Sequence, residues 1–341
     1  SMTDSPHHHA LALLADQKNL PREMAERIFQ ILMNGGATPA QMAAILMGLR
    51  IKGETVDEIT GAAATMRAKM MRIQAPAGTI DTCGTGGDSR GTYNISTATA
   101  FVLAACDVPV AKHGNRSVSS QSGSADVLEA LGVNIAMEPA QAERCLTQVG
   151  MTFLMAPRYH TAMRHVAPVR QELGLRTIFN VLGPLSNPAT PDFQLLGVYS
   201  PALLEPMANV LHALGTKAAW VVHGHDGLDE LTITGKTFVC ELKEGALRSF
   251  EITPDAAGLP TALLDDLKGG NAEQNARALR QALSGIETAY RHAVVYNTAA
   301  GLMIAGKATD IKAAAAQAAE AIDSGRAYSL LQKLVLMSHE K

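Results

Sequence analysis

The sequence lacks an excess of basic residues, a long apolar run and closely paired cysteines. Its 29 Lys and Arg against 32 Asp and Glu give a formal net charge of −3 over 341 residues. This balance provides no general attraction to nucleic acid or to acidic membranes. The longest apolar stretches, such as 98–106, are far too short for a membrane span. We therefore expect no nucleic-acid partner and no membrane anchor.

Cysteine usage also excludes a disulfide framework. Cys83, Cys106, Cys145 and Cys240 form no C-x-x-C pair, and we find no signal peptide before them. Reduced thiols are the simplest interpretation, so we expect a cytoplasmic protein.

The composition is that of a folded globular chain, with 47% hydrophobic and 18% charged residues. The length exceeds what one compact core usually holds, which predicts two domains. The first seventy or so residues show helical patterns only, and Thr38 with Gln41 and Thr55 with Glu58 make two capping boxes. The histidines at 7–9 are expected to lie in a frayed terminus without a role.

From Ala77 onward, short apolar runs alternate with helical patterns. This alternation predicts a mainly parallel central sheet flanked by helices. The predicted strands are 79–83, 108–112, 151–155, 194–199 and 218–223, and the helices between them are 97–106, 124–131, 139–149 and 201–214. The segment 231–252 indicates an antiparallel meander, and helices return after 271. The fold class is therefore α/β, with a small all-helical domain and a larger α/β domain.

The segment 160–190 does not fit this alternation. It is a polar helical stretch followed by a loop rich in proline and glycine. This suggests that the chain returns here to the helical unit, which is formed by the first seventy or so residues. The predicted small domain is 1–75 with about 160–190, and the larger one is 76–159 with about 191–341.

A first candidate phosphate loop follows the strand that ends near Cys83. Three glycines in four positions, within Asp81–Asp88, can turn backbone N–H groups toward one point as an anion nest. Asn94–Thr97 then opens a helix, whose N-terminus favours phosphate. Thr92 after Gly91 excludes a Walker A motif, and Ser89 excludes a dinucleotide fingerprint. An ordinary glycine-rich turn remains the alternative.

A second loop, Lys112–Ser120, follows the strand at 108–111. It holds two cations, an imidazole, an amide and three hydroxyls in nine residues. This set suits a polyanion at the carboxyl edge of a parallel sheet. A solvated basic loop is the alternative.

An acidic pair, Asp229-Glu230, follows the strand at 218–222. Carboxylate oxygens suit Mg²⁺, which keeps several waters and binds substrate phosphates. A solvated loop is the alternative. His223 and His225 have no third ligand at a spacing diagnostic of zinc, so we interpret them as structural.

At these residues the sequence resembles the anthranilate phosphoribosyltransferases. The shared blocks are Cys83–Asp88, Asn94–Thr97, Lys112–Ser120, Gly123–Glu129, Thr177–Asn180 with Gly183–Leu185, and Asp229-Glu230. The resemblance implies a homodimer formed through the helical domain, with the substrate site at the hinge between the domains. Tyr93 and Thr161 depart from the residues that the family often has there, but neither change removes a reactive group.

The resemblance also implies a role for each candidate residue. Those expected to hold 5-phosphoribosyl 1-diphosphate are Gly84, Gly87, Asp88, Thr92, Asn94, Ile95, Ser96, Thr97, Lys112, His113, Gly114, Asn115, Arg116, Ser117, Val118, Ser119, Ser120 and Ser124. Gly84, His113, Asn115 and Arg170 are expected at the anthranilate site, and Ser96, Asp229 and Glu230 at a Mg²⁺ site. Lys112, Asn115 and Arg170 are the expected catalytic residues.

The expected reaction transfers the phosphoribosyl group to the amine of anthranilate and releases pyrophosphate, in tryptophan biosynthesis. The aromatic amine is already nucleophilic and uncharged, so no general base is assigned. Two alternatives stay open: an enzyme like the pyrimidine-nucleoside phosphorylases, and a non-catalytic relative that binds nucleic acid.

Overall fold

The computed structural model describes residues 5–87, 90–117 and 122–341. Over these ranges the α-helices are α1 (Pro6–Ala15), α2 (Arg22–Met33), α3 (Pro39–Lys52), α4 (Val56–Lys69), α5 (Ile95–Ala105), α6 (Ser124–Ala130), α7 (Pro139–Gln148), α8 (Ala156–Tyr159), α9 (Ala167–Leu173), α10 (Phe179–Leu182), α11 (Leu204–Ala213), α12 (Ala272–Leu283), α13 (Ala289–Ile304), α14 (Ile311–Asp323) and α15 (Arg326–Ser338). The strands are β1 (Ile80–Gly84), β2 (Val110–Gly114), β3 (Met151–Met155), β4 (Phe193–Gly197), β5 (Ala218–Gly224), β6 (Thr237–Lys243) and β7 (Ala246–Ile252). Within the described part of the chain, no helix combines the length and apolar character that crossing a bilayer requires.

The N-terminal helices begin where the sequence predicts, because their caps are satisfied. Thr38 opens α3 and Thr55 opens α4, each through a complete capping box. The carboxylate of Glu58 also accepts from the ammonium of Lys52 at 2.7 Å and from the backbone N–H of Leu20 at 2.7 Å. This buried carboxylate therefore fixes the start of α4 and joins it to the chain before α2.

The expectation of a frayed N-terminus is wrong for residues 7–9. Helix α1 begins at Pro6, and the hydroxyl of Ser5 accepts from the backbone N–H of His8 at 3.3 Å. The helix persists because Ala10 and Leu14 are buried in the helical unit. The three histidines occupy its first turn.

The central sheet confirms the predicted fold class. Its seven strands run in the order β3-β2-β1-β4-β5-β6-β7. The pairs among β1 to β5 are parallel, and β6 and β7 add the antiparallel meander. Strand order reverses beside β1, since β2 lies on one side of it and β4 on the other. Open α/β sheets bind ligands at such a switch point, outside the carboxyl ends of the strands.

The segment 160–190 packs against the N-terminal helices. Helix α9 contacts α3, and α10 contacts α4. Val166 and Phe179 from this segment are buried in one apolar cluster with Phe29 and Ile45. These contacts carry the segment over the carboxyl edge of the sheet and place its polar side chains above the ends of β1 and β2.

Candidate active site

A cavity of about 680 Å³ lies between the carboxyl ends of β1 and β2 and the segment that crosses over them. Gly84 and Thr85 form one part of its wall, and residues 113–116 form another. Arg170 lies on the wall formed by residues 160–190, which we call the crossing segment. The glycine turn and the strand that carries Lys112 therefore end at a single cavity.

The glycine turn after β1 has backbone angles that favour glycine. Gly86 and Gly87 adopt φ angles of 71° and 78°, which residues with a Cβ rarely adopt. A Cβ at Gly84 would collide with the Asp229 carboxylate. The Gly86 N–H donates to that carboxylate at 3.0 Å. The acidic pair and the glycine turn are thus in direct contact.

The loop that presents the acidic pair is held on both sides. A Cβ at Gly197 would collide with the backbone oxygen of Asp229, so only glycine at the end of β4 permits this approach. The carboxylate of Asp226 accepts from the hydroxyls of Thr232 and Thr234 at 2.7 and 2.6 Å, which closes the loop. The backbone that carries Asp229 is therefore held in place where its carboxylate contacts the glycine turn.

Glu230 lies on the side of α5. Burial raises the pKa of Tyr290, and the charge of Glu230 adds to that shift. The Tyr290 hydroxyl donates to the backbone oxygen of Asn94, the residue before α5, at 2.9 Å. Its ring stacks on that of Tyr93 at 4.7 Å. Asp229 thus contacts the glycine turn, and Glu230 lies near Tyr290, which contacts the residue before α5.

Among the described residues, no group of three or more His, Cys, Asp or Glu side chains gathers as a metal cluster. His223 bonds to the backbone oxygen of Val198 at 2.8 Å, and His225 bonds to the hydroxyl of Thr234 at 3.0 Å. Both imidazoles thus have structural partners, in agreement with the sequence interpretation.

Lys112 lies beneath the cavity rather than on its wall. Its side chain is buried, and the ammonium donates to the backbone oxygen of Thr82 at 2.5 Å and to the Ser96 hydroxyl at 3.2 Å. Asp81 is buried nearby. Burial raises its pKa to about 6, against the charge of Lys112 and a 2.8 Å hydrogen bond from the Asn187 amide. The positive charge therefore sits at the N-terminal turn of α5.

The remaining residues that the resemblance assigns to phosphate binding lie in different surroundings. Ile95 and Thr97 are buried, and the N–H of Ile95 donates to the backbone oxygen of Tyr93 at 2.9 Å. A Cβ at Gly114 would collide with the Ser124 hydroxyl, which places that hydroxyl at the end of β2. Thr92 forms an isolated bridge with Lys268. Asp88, Val118, Ser119 and Ser120 lie outside the described residues.

Arg116 and Ser117 both contact the carboxylate of Asp126. Arg116 pairs with Asp126 at 3.4 Å and with Glu129 at 3.0 Å, and it is largely exposed. The N–H groups of Ser117 and Gly123 each donate to Asp126 at 2.9 Å. The Asp126 carboxylate therefore links Arg116 and Ser117, in the second loop, to Gly123 beyond its end.

Two histidines meet at the base of the cavity, and the sequence identified only one of them as a site residue. The Nε2 atoms of His113 and His160 lie 3.2 Å apart, so one imidazole donates and the other accepts. Burial lowers the pKa of His113 to about 3 and that of His160 to about 4. His160 belongs to the polar segment at 160–190, but only the fold brings it to His113.

The three arginines of the crossing segment are separated by their surroundings. Arg164 and Arg170 line the cavity, and Arg176 does not. The guanidinium of Arg170 lies 5.4 Å from the ring centre of Phe179, and burial lowers its pKa. Thr161 and Asn115 also lie on the cavity wall. The half-buried guanidinium of Arg170 faces the strand ends across the cavity.

Residues 8–70 match the helical bundle domain of a glycosyl transferase family, and residues 77–328 match the a/b domain of a glycosyl transferase family. The anthranilate phosphoribosyltransferase of Rhodospirillum rubrum is 57% identical over 325 residues, covering 95% of this chain and 94% of that protein. The enzyme of the same name from Beijerinckia indica is 56% identical over 330 residues, covering 97% and 96%.

Solved structures show the same similarity. Anthranilate phosphoribosyltransferase from Thermus thermophilus superposes with a TM-score of 0.92 at 42% identity, covering 97% of this chain and 99% of that chain. The enzyme from Saccharomyces cerevisiae, in complex with PRPP and Mg, gives a TM-score of 0.89 at 26% identity, covering 99% of each.

Proposed function

This chain belongs to the anthranilate phosphoribosyltransferase family, and from that premise we propose which of its residues perform the reaction. The enzyme transfers the phosphoribosyl group of 5-phosphoribosyl 1-diphosphate to the amine of anthranilate, and pyrophosphate leaves. The observation that carries our assignment is the single cavity where the glycine turn and the end of β2 meet opposite Arg170.

The diphosphate lies between the glycine turn and the N-terminus of α5. The N–H groups of Ser96 and Thr97 belong to the first turn of α5, where the helix dipole favours anions. Lys112 adds a positive charge from below through its contact with Ser96. Its role is electrostatic rather than a direct contact, since the side chain is buried and two of its three donors already bond within the protein.

Mg²⁺ is the cofactor of this proposal, held by Asp229 and Glu230 with Ser96 nearby. The residues fit the ion: two carboxylates on a braced loop supply hard oxygen ligands, and Mg²⁺ would keep waters and substrate oxygens as its other ligands. When bound, Mg²⁺ would neutralise charge on the diphosphate.

Anthranilate lies in the outer part of the cavity. Arg170 offers its guanidinium fork to the carboxylate, and the ring of Phe179 helps to hold that guanidinium in place. His113 and His160 stay neutral at pH 7 because burial lowers the pKa of both, so they add no competing charge. Asn115 and Gly84 complete the wall beside the amine.

The reaction is a displacement at the anomeric carbon of the ribose. The lone pair of the amine forms the new C–N bond as the C–O bond to pyrophosphate breaks, and the electron pair of that C–O bond leaves with the pyrophosphate. The nitrogen then loses one proton, to pyrophosphate or to solvent, and becomes the neutral secondary amine of the product. Negative charge grows on the leaving group, where the first turn of α5 and the charge of Lys112 are already in place. The crossing segment covers the reacting atoms and excludes water.

We also propose that 1–75 with about 160–190 acts as the helical domain, that the chain dimerises through it, and that it is cytoplasmic. Ile51 and Leu175, on this unit, are 73% and 55% exposed and so are available to such an interface. Sedimentation of the wild type and of Ile51→Glu tests this, and a wild-type monomer would exclude it.

The function is tested by following anthranilate fluorescence with 5-phosphoribosyl 1-diphosphate, with and without Mg²⁺. We expect consumption that depends on both the diphosphate and the ion. Phosphorolysis of thymidine or uridine, or a gel shift with nucleic acid at low salt, would instead favour the alternative functions.

A further inference from the structure

Arg176 belongs to the crossing segment but does not line the cavity, yet it contacts the glycine turn. Its guanidinium carbon lies 3.5 Å from the ring centre of Tyr199, which follows β4. Its Nη2 donates to the backbone oxygen of Gly87 at 3.2 Å. One side chain therefore bridges the crossing segment, the sheet and the turn.

The backbone of Arg176 is held from the helical unit. Arg50, near the end of α3, donates from Nη1 to the backbone oxygen of Arg176 at 2.7 Å. Thr177, the next residue, accepts at its hydroxyl from the N–H of Phe179 at 3.3 Å and so begins α10. The guanidinium thus extends from an anchored backbone.

Tyr199 contacts the glycine turn at a second point. Its backbone N–H donates to the Thr85 hydroxyl at 3.1 Å, and the Thr85 N–H donates to the Gly197 oxygen at 2.9 Å. A Cβ at Gly87 would lie 2.7 Å from Nη2 of Arg176. The guanidinium is therefore packed directly on the turn, with the ring of Tyr199 on its other side.

The Gly87 carbonyl is a point at which the turn is held. A charged donor on this carbonyl restrains the backbone of the turn at Gly87, beside the proposed diphosphate site. Asp229 fixes the same turn at Gly86, through a contact on a different residue.

We propose that Arg176 is a positioning residue that clamps the glycine turn and couples the helical unit to diphosphate binding. The inference rests on the proposed function, because it assumes that the turn binds the diphosphate. Removing the clamp weakens the binding of the diphosphate and raises its KM. The affinity for anthranilate changes little, since Arg170 does not depend on these contacts.

The test measures pyrophosphate binding by calorimetry in the presence of Mg²⁺, together with KM for each substrate and the melting temperature. We expect Arg176→Ala to weaken pyrophosphate binding roughly tenfold, as loss of a charge-assisted hydrogen bond predicts. Arg176→Lys keeps the positive charge and can still donate a hydrogen bond to the Gly87 oxygen, so it should recover part of the lost pyrophosphate affinity. Tyr199→Phe keeps the stacking face but loses the contact of the hydroxyl with Arg176, so it weakens binding less than Tyr199→Leu, which weakens it a few fold.

Arg248→Ala is the matched control. Arg248 also stacks on an aromatic ring, that of Phe250 at 4.6 Å, but it lies on the edge strand β7. This variant should keep the pyrophosphate affinity of the wild type. If Arg176→Ala lowers the melting temperature, Arg176→Lys takes its place in the test. Weaker pyrophosphate binding than the wild type at an unchanged melting temperature supports the clamp, and wild-type binding overturns it.

Pyrophosphate binding by Arg176→Ala equal to that of the wild type would overturn the clamp and leave the transferase function intact. An equal rise in both KM values would also overturn it, since it indicates general distortion. A wild-type protein that fails to bind pyrophosphate with Mg²⁺ would overturn the proposed function itself.

Discussion

The carboxylate of Asp229 accepts a hydrogen bond from the backbone N–H of Gly86 at 3.0 Å, across 143 residues of sequence. This contact joins the loop after β5 to the turn after β1. It places the proposed metal ligand at the proposed diphosphate site. Because a carboxylate occupies one donor of the nest, metal binding and diphosphate binding at this turn are expected to depend on each other.

The double variant Asp229→Asn with Glu230→Gln should raise the Mg²⁺ concentration at half-maximal activity. Amide oxygens are neutral and bind the ion less strongly than carboxylates. Changes in the surroundings of a metal ligand already cost roughly 10–100-fold in affinity, so we expect at least that range. Titrating Mg²⁺ at saturating substrates measures the shift. An unchanged titration would exclude the metal role of both residues.

Arg170→Ala should impair the use of anthranilate far more than the binding of 5-phosphoribosyl 1-diphosphate. A hydrogen bond to a charged group contributes about 1.5–3 kcal/mol, which corresponds to roughly 10–100-fold in KM for anthranilate. Steady-state kinetics with each substrate varied in turn measure the ratio. Arg164→Ala is the informative comparison, because Arg164 lines the same cavity. A larger loss in that variant would show that the wrong arginine was assigned.

Lys112→Met should destabilise the fold and also weaken pyrophosphate binding. The variant leaves Asp81 buried without its neighbouring charge, and removing one member of a buried charge pair costs about 3–5 kcal/mol. Adding Asp81→Asn should restore much of the free energy of unfolding in urea. Pyrophosphate affinity should stay low in the double variant, since the charge beneath α5 is still missing. If affinity returns together with stability, Lys112 has a structural role only.

The His113–His160 pair predicts a loss of stability in acid. Burial lowers the pKa of His113 to about 3 and of His160 to about 4, so the folded chain binds fewer protons than the unfolded chain below about pH 6.5. The free energy of unfolding therefore falls as the pH drops from 7.5 to 5, by on the order of 2 kcal/mol for one such imidazole. Urea unfolding of the wild type and of His160→Gln at both pH values measures the difference.

Asp81 acts in the opposite direction, since burial raises its pKa to about 6 and the folded chain holds that proton more tightly. Its contribution is common to the wild type and to His160→Gln, so it cancels in the comparison. His212→Gln, on the exposed side of α11, should keep the wild-type pH dependence. An equal slope for His160→Gln and the wild type would count against the pair.

Much of the fold can be predicted from local sequence patterns. The capping boxes at Thr38 and Thr55 and the alternation of strands and helices have short-range causes, so the helix and strand positions follow from nearby residues. The sequence pattern wrongly predicts a frayed N-terminus at residues 7–9, because burial of Ala10 and Leu14, a tertiary effect, keeps α1 helical.

The sequence by itself determined which chemical groups are present and where turns form. The glycines at 84, 86 and 87 allow a backbone turn that larger residues would not, and the acidic pair and the arginines can be read directly from the sequence. Only the tertiary structure decided which groups meet. It buried Lys112 under α5, paired His113 with His160 and separated Arg170 from Arg176, because side-chain direction depends on packing between elements far apart in the chain.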